Sequence, residues 1–228
     1  MRGHGVPVSV TAGPGNARGA RLYDRLAARP WVLRLVYAAT FHGRERAVRR
    51  ASLDALSLDP GDRVLELGCG PGNSLDALAD RVGPSGRVVA LDASAGMVER
   101  ASERAPDGAT VDVVRGDATR PPVADGSVDA VYAAMSLSAT GDPVAAVEGA
   151  HAALRPGGRL VVLDARPFER APWTALNPVV GPIARRLTNW HPDADVVGAV
   201  RRRFETVAVD STTGGAVFVA VGQRRGEP

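Results

Sequence analysis

The stretch that most constrains this chain is Val64-Leu65-Glu66-Leu67-Gly68-Cys69-Gly70-Pro71-Gly72-Asn73. Val64 to Leu67 read as a buried strand around one carboxylate. Glycines 68, 70 and 72 then make a turn tight enough for a ligand to lie against bare backbone. The spacing is G-x-G-x-G, and Asn73 breaks the dinucleotide fingerprint G-x-G-x-x-G. Glu66 beside the first glycine repels a pyrophosphate and favours a cationic ligand, such as an ammonium beside a sulfonium.

Downstream of this turn the chain alternates strand and helix. Strands are predicted over about 63–67, 87–91, 110–115, 128–134 and 159–163. Asn73 or Ser74 is expected to cap a helix running to Val82. Ser94 should cap the next, with Met97, Val98, Ala101 and Ala105 inward. Asp142-Pro143 opens another helix, which ends before Pro156-Gly157-Gly158. Residues 203–209 and 216–221 read as two last strands, joined too closely for a parallel crossover, so one is antiparallel. Such alternation predicts one α/β domain with a parallel sheet and right-handed crossovers.

Residues 1–18 are rich in Gly and Pro and are expected to be disordered. Residues 19–58 read as three helices capping the ligand cleft, with Pro30 between the first two and the third over 44–56. Residues 59–165 form the core, and 201–228 hold the final strands. Between them, 166–200 carries five prolines and two tryptophans around apolar pieces and reads as an insertion beside an acceptor.

Glu66-x-Gly68-x-Gly70-x-Gly72 resembles the first motif of class I S-adenosylmethionine-dependent methyltransferases. Strongly over 55–165 and more loosely at the end, the chain resembles the quinone-biosynthesis and phosphatidylethanolamine N-methylation type. The resemblance implies a Rossmann-like, mostly parallel seven-stranded sheet with its last strand antiparallel, helices on both faces and an N-terminal helical cap. It implies S-adenosyl-L-methionine as cofactor. Glu66, Gly68, Cys69, Gly70, Gly72 and Asn73 would form the glycine turn. Asp92 with Ala93 would hold the ribose diol, since a carboxylate accepts two hydrogen bonds. Asp117, between Gly116 and Ala118, matches the position that reads the adenine amine, and Met97 lies near the adenine face. Ala133, Ala134, Met135 and Ser136, at the end of the fourth strand, fall beside the methionine moiety, over which Tyr23 would close.

One segment departs from the quinone pattern. Those enzymes carry an Arg-Asn pair soon after the fourth strand, where this chain reads Met135-Ser136-Leu137-Ser138-Ala139-Thr140. Lipid-amine and secondary-metabolite acceptors therefore stay open. The apolar segments 31–41 and 173–190 suit a small or lipid-like acceptor.

Composition narrows the field further. All 28 basic residues are arginine, yet the net charge is only +3. The runs Arg44, Arg46, Arg49, Arg50 and Arg201, Arg202, Arg203 are broken by Glu45 and Glu205, so they read as solvated helix faces, the alternative being a site for phosphate or anionic lipid head groups. No nucleic-acid partner is expected, whereas peripheral membrane contact stays open. Cys69 is the only cysteine, which excludes an intramolecular disulfide and a Cys-x-x-Cys metal site. A signal-peptide pattern is missing, and the expected location is cytoplasmic. A sulfonium is already an activated methyl donor, so alignment matters more than a base. His151 reads as core, His42 and His191 as ordinary polar groups, and no catalytic residue is assigned. The competing reading is a cofactor-binding regulatory or partner subunit without methyl transfer.

Overall fold

A computed structural model describes residues 14–106 and 111–226. Its chain order is α1 (Pro14–Ala27), α2 (Pro30–Phe41), α3 (Glu45–Asp54), β1 (Arg63–Leu67), α4 (Leu75–Val82), β2 (Arg87–Asp92), α5 (Ala95–Arg104) and β3 (Val111–Arg115). It continues with β4 (Val128–Ala134), α6 (Pro143–Ala153), β5 (Leu154–Ala165), α7 (Asn177–Thr188), α8 (Val196–Arg203), β6 (Glu205–Thr212) and β7 (Val217–Gln223). The strands form one sheet in the order β3-β2-β1-β4-β5-β7-β6. Pairing is parallel from β3 through β5, and β7 lies antiparallel between β5 and β6. Strand order reverses between β1 and β4, where an open α/β sheet leaves a crevice at its carboxyl edge.

Period-two alternation sends successive strand residues to opposite faces. Leu65, Leu67, Leu91, Val131 and Ala133 join one buried core with α6 and α8. Val64, Val88, Ala90, Ala130, Tyr132 and Ala134 join the other with residues of α3, α4 and α5. Glu66 has the parity of the second face and pairs in register with Tyr132.

Four local expectations are corrected. Helix α1 begins at Pro14, inside the segment read as disordered to 18. A proline suits the first helical turn, and the helix is held by contacts with α5 that the sequence does not announce. Residues 1–13, with His4, lie outside the described residues. Ser74 occupies the cap position of α4 without capping it, because its hydroxyl accepts from Arg49 Nη1 at 3.1 Å. Strand β5 begins at Leu154, so Gly157 (φ +78°) sits where β5 shifts register against β4 and not in a free turn. Arg224 closes the end of α6 there, donating to the carbonyls of His151 (2.8 Å) and Ala152 (3.2 Å) and to that of Leu154. An arginine so placed satisfies carbonyls that the helix end leaves without partners. Finally, 166–200 contains two helices, and α8 packs into the sheet core through Val196, Ala199 and Val200.

Candidate cofactor and acceptor site

The glycine turn folds from the end of β1 over β2. Gly68 and Cys69 donate their N–H groups to Leu91 O at 2.8 and 2.9 Å. Gly68, Gly70 and Gly72 all have positive φ, a region where side chains are strained. A Cβ on Gly68 would meet Ser136 Cβ at 2.4 Å, and one on Gly72 would meet Leu75 and Ala101. Gly70 is different, because a Cβ there meets nothing within 4 Å: it borders open space.

That space is a cleft of about 850 Å³, partly open to solvent. Asp92 sits on its floor. Its Oδ2 accepts from Gly70 N–H and its Oδ1 from Ser94 N–H, both at 2.9 Å. Burial pushes this carboxyl upward, the two N–H groups oppose the shift, and Asp24 adds to it. Ser94 caps α5 as expected, accepting from Met97 N–H at 3.1 Å, and donates its own proton to Asp24 Oδ1 at 2.6 Å. Gly96 N–H also reaches Asp24, at 3.1 Å, so α1 is hooked onto the start of α5.

Glu66 forms the wall opposite. It is buried, and its Oε2 has no hydrogen-bond partner. Burial pushes its pKa up to about 7, against the pull of the Arg49 guanidinium and of Ser74 and with a further push from Asp92. Arg49 reaches in from α3. It donates to Ser74 and, at 3.0 Å, to Glu45 Oε1, while its Nε is also unpartnered. Ser52 donates to Arg49 O, so its one proton is used, and the 2.8 Å contact with Tyr132 is a Tyr132 O–H donation. Arg49, grouped from the sequence with a solvated run, is thus a buried wall residue. The signal available was the helical phase that puts it on the inner face with Ser52 and Leu53.

A second cavity of about 1650 Å³, also partly open, adjoins the first. Tyr23, Leu33, Tyr37, Met135 and Ala139 line both. Helices α2 and α7 make its long walls, with Ala165, Phe168 and Trp190 behind. Tyr23 donates to Thr188 O at 2.7 Å and so ties α1 to α7. Burial raises the Tyr37 phenol to about 12, with Arg49 opposing. Met135 holds φ +56°, and its N–H donates to Leu163 O at 2.6 Å. That backbone conformation is costly for a residue with a side chain. Tyr37 carried no motif signal, whereas Met135 belongs to the end of the fourth strand that the resemblance puts near the methionine moiety.

The first cavity brings together Tyr23, Glu66, Gly68, Cys69, Gly70, Asn73, Asp92, Ala93, Met97, Gly116, Ala118 and Ala134. Gly72 and Asp117 do not line it. Gly72 is spent on close contact between α4 and α5. The Asp117 carboxylate accepts from Thr119 N–H and Oγ1, both at 2.9 Å, in a buried turn. Burial raises the Cys69 thiol well above its usual value, reinforced by Asp92 and Glu66, which keeps it protonated and unreactive. His42 is exposed beside the second cavity. His191 does not line it, and its backbone N–H donates to Ser138 O. His151 is half-buried against Phe204, with rings 5.2 Å apart, and burial and Arg203 lower its pKa.

A parallel sheet with one inverted strand beside its last parallel pair, and a glycine turn at the switch point, defines the class I methyltransferase fold. Residues 64–158 match the family described as methyltransferase domain, and the fold around them is that of class I S-adenosylmethionine-dependent methyltransferases. Among its relatives is demethylmenaquinone methyltransferase of Beutenbergia cavernae, 44% identical over 139 residues, 61% of this chain and 54% of the relative. An uncharacterized 37.1 kDa protein in transposon TN4556 of Streptomyces fradiae is 44% identical over 117 residues, 51% of this chain and 34% of that protein. The chain thus spans about a third to a half of the length of these curated relatives. A solved complex between the Haloferax volcanii Trm112 methyltransferase activator and a methyltransferase shares the fold, with a TM-score of 0.71 and 22% identity over 92% of this chain and 98% of the matched one.

Proposed function

We propose that this chain transfers a methyl group from S-adenosylmethionine to a small apolar or amphipathic acceptor held in the second cavity. The observation that carries the reading is the junction: two cavities meet across Tyr23, Leu33, Tyr37, Met135 and Ala139. One has a polar, glycine-lined floor and the other apolar helical walls. The residues of the first cavity fit the cofactor. An unpartnered buried Glu66 oxygen suits a cationic amino-acid moiety, and Gly70 leaves backbone open to it. Asp92 would accept from the ribose diol with its remaining lone pairs. Gly116, Ala118 and Met97 would flank the adenine.

When bound, the cofactor supplies a sulfonium-activated methyl group. The chain's own residues then align and exclude water. The positive-φ turn at Met135 sets the wall between the two cavities, and Leu33 and Tyr37 close it from above. A phenol raised to about 12 stays protonated at neutral pH, so Tyr37 can donate a hydrogen bond to an acceptor but does not serve as a ready base. Relatives named demethylmenaquinone methyltransferase support an isoprenoid-quinol-like acceptor, and the 135–140 segment favours testing amino lipids beside it. Among the described residues no helix is long and apolar enough to cross a membrane.

Calorimetric titration of S-adenosylmethionine and S-adenosylhomocysteine into wild type and Asp92→Ala tests the cofactor half. Micromolar binding that the substitution weakens tenfold or more, about 1.4 kcal/mol, is expected, and no binding to wild type ends the reading. Binding without turnover of any quinol or amino lipid would move the chain to the cofactor-binding, non-catalytic alternative.

A further inference from the structure

Of the exposed large hydrophobic residues among those described, all but Val144 lie on α2 and on the segment 173–188 containing α7. They are Trp31, Leu35, Trp173, Leu176, Val179, Val180, Ile183 and Leu187. Helical phase sharpens this. On α2, the second cavity is lined by Leu33, Val36, Tyr37 and Thr40, an i, i+3, i+4, i+7 face. Trp31 and Leu35 fall on the opposite side and are each 61% exposed. On α7, Gly181, Ala184 and Thr188 line the cavity, while Val179, Ile183 and Leu187 form the reverse face. Helix α2 is therefore apolar on two faces, whereas α7 turns Asn177, Arg185 and Thr188 beside Gly181 and Ala184 to the cavity and keeps Val179, Ile183 and Leu187 outward. In each helix one face covers the cavity, and the other has no protein against it. A helix apolar on two faces, as α2 is, is ordinarily buried on both sides, and an exposed apolar stripe such as that of α7 marks a surface that meets something.

The charge on these helices carries one sign. Segments 30–41 and 173–188 contain Arg34, Arg185 and Arg186 and no Asp or Glu. Arg185 lines the second cavity and lies 4.0 Å from Asp193 Oδ2, which leaves Arg34 and Arg186 as the cations beside the outer apolar stripes. We infer that the outer faces of α2 and α7 dock on an anionic phospholipid surface, with the indoles of Trp31 and Trp173 at head-group depth. Arginine stems lie along the apolar stripe while their guanidinium groups meet lipid phosphates. At 12 residues each, the helices lie in the interface and do not span it. Their length, about 18 Å at 1.5 Å per residue, falls well short of a bilayer core. The same two helices wall the second cavity, so a lipid-like acceptor would enter between them without crossing water. Such entry presupposes the methyl-transfer reading, whereas the docking itself does not.

Flotation of the full chain with vesicles of phosphatidylcholine alone, and of phosphatidylcholine mixed with phosphatidylglycerol, tests this beside an S-adenosylhomocysteine titration. Wild type should float with the anionic vesicles at least tenfold better than with neutral ones, and high salt should release it. The combined variant Trp31→Ser, Leu35→Ser, Val179→Ser, Ile183→Ser should lose at least tenfold in vesicle binding. It should bind S-adenosylhomocysteine as wild type does, since none of the four residues lines either cavity. Arg34→Gln with Arg186→Gln should narrow the preference for anionic lipid. Flotation without nucleoside binding would remove the proposed function and leave the docking face standing. A wild type that binds S-adenosylhomocysteine but no vesicle, or a fourfold variant that floats like wild type, overturns the inference. So does a wild-type dimer that binds no vesicle and becomes a monomer on the four substitutions, since the face then belongs to a second copy.

Discussion

At the scale of single residues, Glu66 is where charge and burial are most opposed. Its folded pKa, about 7, lies above the ordinary 4.5. Between those values the folded chain binds more protons than the unfolded one, so the unliganded protein loses stability as pH rises through that window. A tenfold change in proton affinity corresponds to about 1.4 kcal/mol, which limits the loss to about 3 kcal/mol. Glu66→Gln should remove this share of the pH dependence and stabilise the empty protein above pH 7, read as a higher denaturation midpoint. Cation binding has the opposite sign: it needs the ionised carboxylate, so affinity for S-adenosylhomocysteine should rise as pH passes 7, and Glu66→Gln should flatten and lower it. A flat wild-type profile would show that Glu66 does not meet the ligand's charge. The residues of this cavity that were readable in sequence, Asp92 and the glycines, belong to one contiguous strand-turn pattern. Arg49 and Tyr37 were not readable, because they arrive from the cap, and only the folded chain sets them beside Glu66.

At the scale of elements, Asp164 at the end of β5 plays a bracing role. It is fully buried and accepts from Ser138 N–H (2.8 Å), Ser138 Oγ (2.6 Å) and Ala165 N–H (2.8 Å). Burial raises its pKa and these donors oppose the rise. The short turn 137–139 that follows Met135 is thereby pinned to β5, and with it the wall shared by the two cavities. Ser138→Ala removes one charge-assisted donor and should cost about 1.5–3 kcal/mol. A denaturant midpoint that falls at unchanged slope would show it, and an unmoved midpoint would mean the bond contributes nothing net. The strands and the helices capped by Ser94 and Asp142 were legible because cap, period and turn agree there. Helix α7 was not. Pro178 and Pro182 inside it resemble loop punctuation and hide the helical period.

At the scale of the molecule, alternation of strand and helix made a parallel α/β sheet with right-handed crossovers legible, whereas the seven-stranded arrangement with its inverted strand was legible only through the family resemblance. How the cap sits could not be read, since it rests on long-range polar hooks. Asp24 holds α1 to α5 through Ser94 Oγ and Gly96 N–H, Tyr23 holds α1 to α7, and Asn189 Nδ2 donates to Ala139 O at 2.9 Å. The first cavity is lined from both sides of this join, by Asp92 and Gly70 below and Tyr23 and Leu33 above. A ligand there bridges sheet and cap and should tighten both. At hundredfold excess over Kd, S-adenosylhomocysteine should raise the unfolding free energy by about 2.7 kcal/mol, and amide exchange should slow in α1 as well as around the glycine turn. Asp24→Ala cuts the hook without touching the cavity. It should weaken S-adenosylhomocysteine several-fold and speed α1 exchange in the free protein, while exchange in β1 and β4 stays as in wild type. If α1 exchange ignores the ligand, or the variant binds like wild type, then the cap closes independently of the sheet and the cavity is completed from below alone.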